Sequence, residues 1–169
     1  MWRKEILQQH PHPRYNVRVI KGGAMKLLSK FIKPVYAHCD LMCGVYDPAQ
    51  ARIEAQSVYN ACKKYAESDD SVFKERAVII KEKRADLCKE HLWVLWTDYF
   101  KPEHAEKNPG LHDLVWRATK AAGDAKKSMD AAVAQKLIDL VDEVGAAFAM
   151  TKDGYDYNAV KSNMEKQAV

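Results

Sequence analysis

The stretch from His38 to Pro48, HCDLMCGVYDP, brings one histidine and two cysteines, Cys39 and Cys43, into six residues. Imidazole and thiolate are the side chains that hold transition metals, so the first question is which metal this spacing suits. Structural zinc takes four side chains, typically in two spaced pairs, and no second pair is present. His91, His104 and His112 are scattered and read as surface or interhelix histidines. A redox CxxC is absent, because three residues separate Cys39 from Cys43. The missing donors would have to come from the backbone. If the chain began at His38, its free amine, the amide nitrogen of Cys39 and the Cys39 thiolate would close two five-membered chelate rings, and Cys43 would add a fourth donor. Two nitrogens and two sulfurs in a square plane select Ni(II) or Cu(II) over tetrahedral zinc. The imidazole of His38 stays available as an axial ligand, which suits a metal alternating between two oxidation states.

Such a hook needs a rigid body behind it. The chain has 169 residues, 47% of them hydrophobic, enough for one globular domain with a core. Its formal net charge of +4 is uneven: residues 1–37 hold eight Lys/Arg against one acid, and the remainder is net negative. No basic stripe interleaved with aromatics appears in that remainder, which argues against nucleic acid as a partner. No apolar run approaches the roughly 20 residues of a bilayer span, which argues against a membrane protein. Four cysteines are too few for a disulfide-stapled fold, and Cys62 and Cys88 read as small buried hydrophobes.

Helical periodicity dominates the chain beyond the hook. Asp47 and Pro48 form a helix-start signal, and Ile53, Val58, Cys62 and Tyr65 recur near helical spacing until the break at 68–71. A long segment from Val72 to Phe100 places Phe73, Ile80, Leu87, Val94 and Leu95 on its apolar side. Pro102 and the NPG at 108–110 mark a loop; a third helix from Leu111 fades near Gly123; Ser128 to Asp130 turns the chain into a fourth through Val133, Leu137, Val141 and Val144. Trp93, Trp96 and Trp116 read as packing residues. These features predict an all-α, up-down four-helix bundle with an N-terminal metal-binding hook, ending in a polar, frayed tail over 153–169.

The run HCDLMCGVYDPAQARIEA, with RAVIIKEKRADL and LWTDYFKPEH further on, resembles the nickel-containing superoxide dismutases, whose signature reads HCDxPCGVYDP. The likeness covers about residues 38–150. It implies one nickel ion per subunit, held by the amine and imidazole of His38, the amide and thiolate of Cys39, and the thiolate of Cys43. Cycling between Ni(II) and Ni(III) would disproportionate superoxide to dioxygen and hydrogen peroxide. Glu54 matches the carboxylate that orients the axial imidazole, and Arg84 the guanidinium that holds that carboxylate. Tyr46 and Tyr99 match phenols bordering the substrate pocket, Asp40 belongs to the hook, and Lys101 matches an entrance lysine that could steer the anion. A homohexamer is implied as well, together with a processing peptidase and a nickel delivery factor.

Residues 1–37 accordingly read as a leader removed on maturation, residues 38–152 as the dismutase domain with its hook at 38–46. The segment MKLLSKFIKPVYA, Met25 to Ala37, is basic and ends in a small residue, and Lys30 and Lys33 make it a poor secretory signal, so a cytoplasmic location is expected. The KGGAM at 21–25 can be encoded by a purine-rich run of the ribosome-binding kind, which points to Met25 as the start and leaves 1–24 untranslated; an organellar presequence is the rival. Met42 stands where the family has proline. Losing that fixed φ relaxes the free hook by about 0.4–1 kcal/mol, small against the roughly 10–16 kcal/mol that holds zinc in small peptides. Should the leader be retained, or Met42 disable the hook, the alternatives are a non-catalytic nickel- or copper-binding protein or a thiol redox sensor.

Overall fold

The computed structural model describes residues 45–167. His38, Cys39, Asp40, Met42, Cys43 and the leader lie outside the described residues. Among the described residues six α-helices succeed one another: α1 (Ala49–Glu67), α2 (Ser71–Val94), α3 (Pro102–Lys107), α4 (Leu111–Lys127), α5 (Ala131–Ala149) and α6 (Tyr157–Gln167). No strand occurs among the described residues. Helices α1, α2, α4 and α5 form the bundle: α2 packs on α1 and α4, and α5 packs on α4 and α1, closing the ring. The expected up-down four-helix architecture is therefore the one observed.

Three of the four bundle helices start on an aspartate. Asp47 Oδ1 accepts from Ala49 N at 2.7 Å, Asp70 Oδ1 from Val72 N at 2.9 Å, and Asp130 Oδ1 from Ala132 N at 2.8 Å. Each carboxylate satisfies one of the amides that a helix start leaves without a partner, and its charge suits the positive end of the helix dipole. Between the helices lies a core of Val58, Leu92, Leu111, Leu137, Val141 and Phe148, with alanines on α4 letting the helices approach closely.

Helix α2 departs from its sequence reading in two ways. Its buried stripe is Ala77, Lys81, Ala85, Cys88 and Leu92, at the three-to-four-residue spacing of one helical face. Phe73 and Ile80, expected inside, are 39% and 46% exposed. Large apolar side chains at Phe73, Ile80, Leu87 and Val94 recur every seven residues along a neighbouring face, while two alanines, a cysteine, one lysine and Leu92 make the buried stripe. Second, the segment from Val72 to Phe100 is not one regular helix. Residues Leu95–Tyr99 form a π-helical turn, closed by Phe100 N donating to Leu95 O at 2.9 Å.

Smaller differences have similar causes. Trp93 and Trp116 are exposed, and among the described tryptophans Trp96 alone packs against the core. Helix α4 runs through Gly123 to Lys127 because the buried Lys81 ammonium donates to the carbonyls of Ala125, Lys126 and Ser128, capping the end that the glycine weakens. Residues 157–167, read as frayed, form α6 instead, and Tyr157 in it is 4% exposed.

Candidate metal centre

The first described residues, Val45 to Pro48, lead from the hook into α1. Pro48 is buried, which holds this segment against the bundle. The ring of Tyr46 lies 5.6 Å from that of Tyr99, tilted by 51°. Tyr99 is the last residue of the π turn, whose wider winding shifts the direction in which the side chain leaves the helix relative to a continued α-helix. Its ring packs on Phe148, at 4.4 Å between centroids, and stacks on His104 at 5.7 Å. Its hydroxyl is 2.8 Å from Thr151 Oγ1, and Thr151 Oγ1 donates its single proton to Phe148 O at 2.7 Å. Tyr99 must therefore be the donor to Thr151, and its oxygen keeps lone pairs for another partner.

Glu54 lies on α1, seven residues beyond Asp47. The Glu54 carboxylate is 8% exposed and accepts at both oxygens from Arg84 Nη1, at 3.1 and 3.2 Å. Arg84, on α2, is itself 44% exposed. One half-solvated guanidinium nitrogen thus faces a buried carboxylate that retains unfilled acceptor directions. Cys88, one turn beyond Arg84 on the same helix, is fully buried and free. Burial, then the charge of Glu54, pushes its thiol up to about 12. A thiol so held is neutral and inert near neutral pH, in keeping with its reading as a core residue.

Lys101 follows the π turn by two residues and is exposed. Its backbone N donates to His104 Nδ1 at 3.2 Å, which ties the lysine's backbone to the ring that stacks on Tyr99. Of the sequence candidates, then, Glu54 and Arg84 form one hydrogen-bonded pair, Tyr46 and Tyr99 one ring pair, and Lys101 adjoins the second through His104. His38, Cys39, Asp40 and Cys43 lie outside the described residues. Sequence reasoning did not anticipate that His104, Phe148 and Thr151 fix Tyr99. His104 lies only five residues beyond Tyr99, on a helix opened by Pro102, so its nearness had a local signal; Phe148 and Thr151 had none.

The donors expected from the sequence would suit a nickel ion. Among the described residues no three His, Cys, Asp or Glu side chains cluster as a metal site, and the sequence's candidate donors precede them. Two thiolates, an amine and an amide are donors that favour a square-planar ion. The spare acceptor capacity of Glu54 is what an imidazole N–H would need to be oriented.

Comparison with known proteins identifies the family. Residues 33–152 match the family described as nickel-containing superoxide dismutase. Nickel superoxide dismutases of Streptomyces seoulensis and Streptomyces coelicolor are 54% and 53% identical over 129 residues, 75% of this chain and 98% of each relative. A native nickel superoxide dismutase structure is similar with a TM-score of 0.67 at 54% identity, covering 69% of this chain and all of that one. A structure with nickel ligation corresponding to the oxidised state has the same TM-score at 55% identity.

Proposed function

The chain belongs to the nickel-containing superoxide dismutase family, and on that premise we propose that it converts two superoxide ions and two protons to dioxygen and hydrogen peroxide. His38, Cys39 and Cys43 would hold one nickel ion per subunit, through the amine and imidazole of the first, the amide and thiolate of the second and the thiolate of the third. Bound there, nickel would supply the one-electron acceptor and donor by alternating between Ni(II) and Ni(III). The family membership, spanning nearly the whole length of its relatives, is the observation that carries this reading.

The remaining roles belong to this chain's own side chains. Glu54, held by Arg84, would orient the His38 imidazole through its open acceptor side. Tyr46 and Tyr99 would border the space reached by superoxide, with Tyr99 fixed by Thr151 and Phe148 and its phenol oxygen able to accept a further hydrogen bond. Asp40 would belong to the same hook. Lys101 would draw the anion toward a mature chain of net negative charge.

Maturation must expose the amine of His38, so a peptidase cleaving after Ala37 and a factor delivering nickel are part of the proposal. Assembly as a homohexamer is consistent with the exposed Phe73, Ile79 and Ile80 on α2, apolar surface that another copy could cover. A cytoplasmic location is in keeping with the leader's composition; no described helix is long and apolar enough to cross a membrane. Intact mass and metal analysis of the protein from its native host test the reading together. One nickel per chain beginning at His38, with superoxide removal, is expected; a chain still carrying its leader and yet fully active would overturn it.

A further inference from the structure

The segment after residue 152 lies beyond the residues matched by the family, yet it is built into the domain. Tyr157 lies against Gly145, where an added Cβ would collide with its ring Cζ, so only glycine admits the ring there. The Tyr157 hydroxyl donates to Asp142 Oδ1 at 2.9 Å, and Lys161 Nζ pairs with Asp142 Oδ2 at 2.9 Å. Asp142 in turn accepts from Nε of the buried Arg52 at 2.8 Å. Helix α6 is thereby fastened to both α5 and α1.

Just before α6, the chain reaches the foot of the hook. Tyr155 packs edge-on against Phe148, at 5.0 Å between centroids, and its hydroxyl donates to Asp47 Oδ1 at 2.6 Å. The same oxygen accepts from Ala49 N, so one carboxylate atom joins the start of α1 to a residue 108 positions later. Asp47 adjoins Tyr46 and follows Cys43 by four residues. A short hydrogen bond from a phenol to a carboxylate is among the stronger kinds. Burial and the charge of Asp47 also push the Tyr155 hydroxyl above its ordinary range, so it keeps its proton and remains a donor.

We propose that residues 155–167 are a strap that fixes the root of the metal-binding hook, with Tyr155 as a positioning residue acting through Asp47. Its consequence for the metal rests on the nickel reading given above. A ligand segment hinged at one end delivers its donors accurately only when that end is immobile. The strap supplies this immobility from outside the family-shared domain, and Gly145 is the socket that seats it.

Tyr155→Phe keeps the ring on Phe148 and removes only the hydroxyl. In the chain processed to begin at His38, amide exchange at Ala49, measured without metal, should accelerate about tenfold, the change expected for one hydrogen bond to a charged group. Exchange at Ala122 in α4 should not change. In the nickel-loaded protein, release of nickel to a chelator should quicken a few-fold, less than the roughly 10- to 100-fold seen for groups that touch a ligand. The paramagnetic spectrum of the oxidised nickel site should broaden as its geometries multiply. Gly145→Ala, which alters neither Asp47 nor any residue of the hook, should reproduce these changes in weaker form. Unchanged Ala49 exchange in Tyr155→Phe would overturn the strap whether or not nickel binds. Faster exchange with unaltered nickel release and spectrum would overturn it equally, reducing the contact to a helix cap. A wild-type chain that takes up no nickel, with Ala49 exchange still faster in Tyr155→Phe, would support the anchor and sink the nickel reading alone.

Discussion

Lys81 and Glu54 are buried charges in the same pair of helices, and they are satisfied in opposite ways. The Lys81 ammonium, 1% exposed, spends its three protons on three backbone carbonyls at the end of α4, where the helix dipole is negative. Nothing is left over. Glu54 meets a single nitrogen of a half-exposed arginine and keeps acceptor capacity in hand. A saturated buried charge closes a structure. An unsaturated one can take a further donor, and in the proposed reading that donor is the His38 imidazole.

The largest expected effect lies on the open side of this comparison. Cys43→Ser replaces a soft donor by a hard one and should abolish both nickel uptake and superoxide removal, while the thermal unfolding of the metal-free bundle stays unchanged. Full activity in that variant would move the metal away from the hook and leave Glu54 without a reason to be open. On the closed side, Lys81→Met keeps an unbranched side chain one atom shorter but strips three carbonyls of their donor. Urea unfolding should show a loss of about 3 kcal/mol, with activity per folded molecule preserved. Stability equal to wild type would show that the carbonyls find water and that the site is not closed.

Glu54→Gln sharpens the contrast from the other direction. Removing the charge but not the shape should lower activity about 10- to 100-fold, with stability changed by no more than about 1 kcal/mol because the partner arginine is half in solvent. A large loss of stability with normal activity would reverse the two roles. The smallest effect near neutral pH concerns Cys88, beside Glu54. Its folded thiol sits at about 12 against an ordinary value of 9.0, so the folded state holds a proton that the unfolded chain releases. Stability from this group is complete below pH 9 and is lost as pH rises from about 9 toward 12. Tyr155 and Tyr157, also pushed upward by burial, add to the loss in the same direction at high pH. Denaturation titrations of wild type and Cys88→Ala across that range should show a shallower decline in the variant.

How much of this was legible in the sequence depends on how local the cause is. Helix starts at Asp47, Asp70 and Asp130 are set by side chains two residues from the amides they cap, and they stand where the sequence places breaks. The buried face of α2 is set by what packs on it, and a lysine among alanines does not announce itself as core. The π turn is likewise invisible, because Leu95 to Tyr99 would suit an ordinary helix. The tail looked frayed because its polar residues outnumber its apolar ones; two tyrosines, a glycine socket and Asp142 dock it nonetheless. At the site, Glu54 and Arg84 are 30 residues apart and came from family resemblance, not from spacing. The Tyr155 contact joins positions 108 apart and has no local signature at all.

The account depends most on the amine of His38, which separates this hook from any pair of thiols. Its direct test is a nickel titration of two chains, one beginning at His38 and one retaining Ala37, both with Cys39 and Cys43 intact. The first should bind one nickel per chain and remove superoxide, and the second should do neither. Equal uptake and equal activity in the two would contradict the account.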